Sequence, residues 1–143
     1  MLTRPTQKRR TCLVSVVIVM TLAGLFLAST AFAKVVRNTI DPVATVTDNG
    51  RHIVARGPIE CTAGERVFLH VTVTQRTTGA VAYGRTLLSC QGDIQRWRVH
   101  AVVLDKETFE EGAATVVAVA RTSALGDITD AHQWLVNITL VGE

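Results

Sequence analysis

Residues able to do chemistry are few in this sequence, and they stand far apart. Beyond position 33 it has only two serines, Ser89 and Ser123, and neither sits in a Gly-x-Ser-x-Gly elbow. The strained turn that exposes a hydrolase serine is therefore missing. Four histidines, His52, His70, His100 and His132, lack the i,i+2 or i,i+4 spacing by which two imidazoles on one element share a metal. His70 and His100 each fall on the polar face of a predicted strand. They would converge only if those strands were neighbours, and solvated surface is the simpler reading. Acids gather at Glu107, Glu110 and Glu111, then at Asp127 and Asp130. Loop oxygens suit calcium, but there is no Asp-x-Asp-x-Asp ladder and Lys106 lies among the glutamates. Solvated loop charge is the expectation. These patterns predict no catalytic residue, no metal ligand and no cofactor, so the chain is read as a protein that is not an enzyme.

A sugar-binding platform needs a row of exposed aromatics. Here Trp97 is in phase with Val99, Ala101 and Val103, and Trp134 with Val136, Ile138 and Leu140. Residues two apart on a strand share a face, so both tryptophans are predicted to be buried with their aliphatic companions. Phe68 projects opposite Val67 and Leu69, either into an exposed patch or into a second apolar layer; the second is expected. Asn137-Ile138-Thr139 matches the glycosylation acceptor pattern but falls inside a predicted strand.

The elements that would position these residues are short strands. Apolar and polar residues alternate over Arg66–Gln75, Arg96–Val103 and Trp134–Leu140, and less regularly over Val43–Thr47, His52–Cys61, Ala80–Cys90 and Ala113–Arg121. Asp48-Asn49-Gly50 is a strong hairpin signal, because Asn and Gly tolerate positive φ. Thr62–Glu65, Thr77–Gly79 and Gln91–Asp93 also read as turns. Lys106–Gly112, with a single helical turn near Lys106–Glu111, and Ser123–Asp130 read as longer polar connections. About seven strands in roughly a hundred residues predict an all-β domain, a single immunoglobulin-like β-sandwich. A small barrel fits the same pattern.

The first thirty-three residues are of another kind. Arg4, Lys8, Arg9 and Arg10 precede an uncharged run from Cys12 to Ala33, which ends Ala31-Phe32-Ala33. A basic head, an apolar middle and small residues at the end predict a signal peptide over residues 1–33, forming a helix and cleaved between Ala33 and Lys34. The same 22 uncharged residues, 12–33, could span a bilayer uncleaved. The sequence carries a net charge of +3, yet four of its fifteen basic residues lie in that head and all twelve acids lie beyond it. The domain over residues 34–143 is thus slightly acidic, which argues against a nucleic-acid partner.

Cys12 leaves with the signal. Cys61 and Cys90 remain, and two cysteines in a small exported domain should pair. Antibody domains place a tryptophan between their two cysteines. Here Trp97 follows Cys90, so the bridge is expected to tie neighbouring β segments at one end of the sandwich. Without Cys-x-x-Cys spacing the pair makes no zinc site.

Gly57-x-Ile59-x-Cys61-x-x-Gly64-Glu65, then Gln75, Gly84, Cys90-x-Gly92, Trp97-x-Val99, Phe109-x-x-Gly112-x-Ala114 and Trp134, run through most of the domain. In these residues the chain resembles small exported actinobacterial β-sandwich domains of unknown function; its use of Arg over Lys is separately typical of GC-rich genomes. That resemblance implies fold and export, and no activity. The apoproteins of enediyne antibiotics are a second likeness; they usually carry two disulfides, where this chain can form one. The sequence therefore reads as a secreted, non-enzymatic binding or structural module, with an unidentified extracellular or cell-envelope partner and no membrane contact beyond an uncleaved signal. A carrier of a small apolar ligand, held in a cleft between the sheets, is the alternative.

Overall fold

The computed structural model describes residues 35–143; the predicted signal segment, with Ala31, Ala33 and Lys34 at its cleavage site, lies outside the described residues. Eight strands follow one another: β1 (Val35–Asn38), β2 (Val43–Thr47), β3 (His52–Cys61), β4 (Arg66–Thr74), β5 (Val81–Ser89), β6 (Ile94–Val103), β7 (Gly112–Ala124) and β8 (Asp127–Gly142). The seven alternating runs correspond to β2 through β8. Strand β1 is too short to show a period.

Alternation becomes burial most clearly on β4. Val67, Leu69, Val71 and Val73 are fully buried, and each such side chain contributes roughly 1.5–3 kcal/mol. Their neighbours on β7 are small: Ala114, Val116, Ala118 and Ala120 line the same core. Trp97 supplies bulk from β6 and is 1% exposed. Trp134 is only half-buried, against the expectation that it would match Trp97. The inward residues of β8 sink deeper along the strand, from Trp134 and Val136 at the core margin to the buried Ile138 and Leu140.

The strands hydrogen-bond in a ring, β3-β2-β8-β7-β4-β5-β6 and back to β3, with β1 extending the β2 side of β3. This closed barrel corrects the expected immunoglobulin-like sandwich. A sandwich leaves its sheet edges unpaired across each corner, whereas here both corners are bonded. At one, β2 runs parallel to β8, Val43 to Val46 against Thr139 to Gly142. At the other, β5 meets β6 through Ala82–Val103 and Tyr83–Val102. Gly84 permits that approach, since a Cβ there would lie 2.5 Å from Val99 Cγ1 and 2.6 Å from His100 O. A strand glycine commonly marks such close backbone contact.

Asp48, Asn49 and Gly50 all have positive φ and join β2 to β3, as their chemistry predicts. Ser123–Asp130 is not the long connection expected. Strands β7 and β8 pair as far as Ala124 and Asp127, so Leu125-Gly126 alone makes the turn. Nor does the segment before β7 form a helical turn. It folds inward, burying Phe109, whose N–H donates to Gly50 O at 2.9 Å.

Cys61 and Cys90 form the predicted disulfide, with their Cα atoms 5.5 Å apart. It joins the end of β3 to the residue after β5, strands that are not the expected neighbours because β6 lies between them, at the barrel end where Cys90 N also donates to Glu65 O (2.8 Å).

Candidate ligand-binding face

The register of β5, β4, β7 and β8 lays their outward side chains in rows. Ser89, Arg66, Ser123 and Ile128 form the first, and Leu87, Phe68, Arg121 and Ala131 the second. Arg85, His70, Val119 and Gln133 form the third. Side chains directly opposite on antiparallel strands have Cβ atoms about 4.5–5.5 Å apart. Phe68 is therefore flanked by Leu87 on one side and Arg121 on the other.

Between β4 and the β7–β8 turn this face sinks into a groove of about 580 Å³, bordered by Arg66, Phe68, His70, Arg121, Leu125 and Ile128. A shallower depression of about 340 Å³ shares Phe68 and His70 and continues to Arg85 and Leu87 on β5. His70 Nδ1 lies 2.5 Å from the Tyr83 hydroxyl, which fixes the imidazole over the sheet. Beneath the groove, the Thr129 hydroxyl contacts Thr122 Oγ1 at 3.0 Å and the buried Glu65 carboxylate at 3.4 Å.

The electrostatics of this face are one-sided. Strands β4, β5 and β7 contain no Asp or Glu. Among the described residues Asp41 pairs with Arg96 and Asp48 lies against His52, so Arg66, Arg85 and Arg121 have no carboxylate partner there. Asp130 on β8 accepts instead from the backbone N–H groups of Val35 (3.2 Å) and Ala131 (2.9 Å). Amid this cationic surface Phe68, Leu87, Leu125 and Ile128 are exposed.

Phe68 thus departs from the expected second layer. A sheet closed on itself has one interior, and the opposite face of β4 meets solvent. His70 and His100 do not converge, because β5 lies between β4 and β6. Glu107, Glu110 and Glu111 precede β7 while Asp127 and Asp130 follow it, so the length of a 13-residue strand separates the two acidic groups. No three His, Cys, Asp or Glu side chains gather as a metal site among the described residues. Ser89 and Ser123 flank Arg66, and neither hydroxyl bonds to a histidine or carboxylate among the described residues. The face itself escaped the sequence reading, which followed the apolar side of each run. The signal was on the other side, in Arg66, Phe68, His70, Arg85, Leu87 and Arg121.

Comparison with known proteins finds neither a family model nor a curated protein that matches the chain.

Proposed function

We propose that this chain is an exported, non-catalytic β-barrel domain that binds a partner outside the cell through the outer face of β5, β4, β7 and β8. One observation carries the reading: Arg66, Arg85 and Arg121 surround exposed apolar side chains with no acid on their strands. Scattered surface hydrophobics need no explanation, but a contiguous apolar patch rimmed by polar residues marks an interaction site. Arginine and aromatic residues are also those that dominate binding energy at interfaces. Export is supported by the basic head, apolar run and Ala31-Phe32-Ala33. The Cys61–Cys90 bridge is compatible with an oxidising compartment.

The test is retention on intact cells and envelope fractions. Protein recovered from culture medium is compared with a Phe68→Ser, Arg121→Glu double variant of equal melting temperature. Loss of retention in the variant is the expected result. Equal retention by both proteins sets this reading aside. N-terminal sequencing of the same material checks export, with Lys34 as the expected first residue.

A further inference from the structure

We propose that the groove between β4 and the β7–β8 turn is a site for a small amphipathic anion, an apolar chain or ring system that carries a carboxylate or phosphate. This rests on the binding-face reading above and gives the ligand a chemistry.

The anionic head follows from Arg66 and Arg121. Arg66 is paired with Ser123, and Arg121 with Phe68, two residues further along β4. The arginines therefore sit on a diagonal, where Cβ atoms are about 7–8 Å apart. The two like charges repel, and neither arginine is in an ion pair among the described residues; the Glu65 carboxylate lies beneath the groove, held by the Thr129 hydroxyl. An anion seated there neutralises both. Guanidinium forks match the geometry of carboxylate and phosphate oxygens, which gives the bond direction as well as strength. A cationic ligand is disfavoured by the same charges.

The apolar body follows from the walls. Phe68, Leu125 and Ile128 border the same groove and are 42%, 108% and 67% exposed. Leu125 bears a second cost. Its φ of 53° lies in the left-handed region, at a two-residue hairpin position that favours Asn, Asp or Gly. The turn thus holds a large apolar side chain in an unfavourable backbone conformation and fully in water. Strain of this kind is retained where it serves a site, and a ligand chain laid against Leu125 and Ile128 relieves the exposure. The groove's volume, about 580 Å³, falls within the range of small-molecule sites. Its concave form accommodates one molecule rather than a flat bilayer.

The probe is octyl phosphate, titrated calorimetrically below its micelle concentration into the purified protein recovered from culture medium. Inorganic phosphate, octyl glucoside and phosphatidylglycerol vesicles are the comparison arms. One-to-one binding of octyl phosphate is expected, with phosphate and octyl glucoside each at least tenfold weaker. Arg121→Ala and Phe68→Ala should each lower the affinity about tenfold without moving the melting temperature, and Arg98→Ala on β6 should change nothing. Equal binding of octyl glucoside or of inorganic phosphate overturns the proposal, as does binding to vesicles alone or indifference to Arg121→Ala. If octyl phosphate fails while cell retention still depends on Phe68 and Arg121, the ligand class falls and the binding face stands. If retention is indifferent to both residues as well, the face falls with it.

Discussion

The side-chain amide of Gln75 and the backbone of Glu110 clasp each other: Nε2 donates to Glu110 O and Oε1 accepts from Glu110 N, both at 2.9 Å. Gln75 is 1% exposed, and its Oε1 also accepts from the Thr78 hydroxyl at 3.2 Å. One residue past β4 thereby pins both the β4–β5 turn and the segment that buries Phe109. Replacing it with Ala removes two hydrogen bonds to Glu110, which is itself exposed, a loss of about 1–3 kcal/mol at about 0.5–1.5 kcal/mol each. Urea unfolding of Gln75→Ala should show a lower midpoint with an unchanged m value.

Gly84 decides whether the barrel closes at β5 and β6. Ala at this position drives a methyl into Val99 and the His100 carbonyl. Overpacking of this kind costs about 1–3 kcal/mol. Amide exchange at Tyr83, Val102 and Leu104 should accelerate first in Gly84→Ala, since the corner is held by two residue pairs and the Leu104 N–H bond to Val81 O. Unchanged exchange there would show that the corner tolerates a Cβ.

The two tryptophans should separate in stability. Trp97→Ala removes a fully buried aromatic and should cost about 3–5 kcal/mol. Trp134→Ala, at the core margin, should cost less than half of that. The Trp97 indole Nε1 has no hydrogen-bond partner among the described residues, so Trp97→Phe loses volume and no bond there. Thermal unfolding of the three variants should therefore rank Trp97→Ala far below the other two.

Strands, hairpin and disulfide were legible because each rests on local rules. Period-two alternation placed β2 through β8, and Asp48-Asn49-Gly50 placed the first hairpin. Closure was not legible. It depends on Gly84 meeting His100 and on Val43 meeting Thr139, contacts between segments that no local pattern joins. The β7–β8 turn was missed because Leu125 contradicts the turn preference it should obey. The proposed face was half legible: the outward residues of β4 could be read from alternation, but that Arg121 and Leu87 flank Phe68 required the register.

Leu125→Asn tests the cost assigned to that turn. Asn tolerates the left-handed region and removes an apolar side chain from water, so the variant should be more stable by about 1 kcal/mol, the scale of the left-handed penalty. The same change should weaken octyl phosphate binding. A higher melting temperature together with lower affinity is the expected pair of readings, the usual exchange of stability for function.

Reduction of Cys61–Cys90 releases a loop with a sequence separation of 29 residues. Chain entropy alone then predicts a loss of about 3.6 kcal/mol. Guanidinium unfolding with and without reductant measures it, and alkylation should label two thiols only after reduction.

The parallel pairing of β2 with β8 sets an order of events on the nascent chain. Val43 emerges early, but its partner Thr139 belongs to the final strand. Until β8 appears, β3 can pair with β1, β2 and β6, and β4 with β5 and β7, but the ring stays open, with β2 and β7 as free edges. The same delay leaves unpaired edges open to wrong neighbours. Crowded synthesis should therefore favour exchange of β8 between copies, a swapped dimer in which each barrel is closed by the other's last strand.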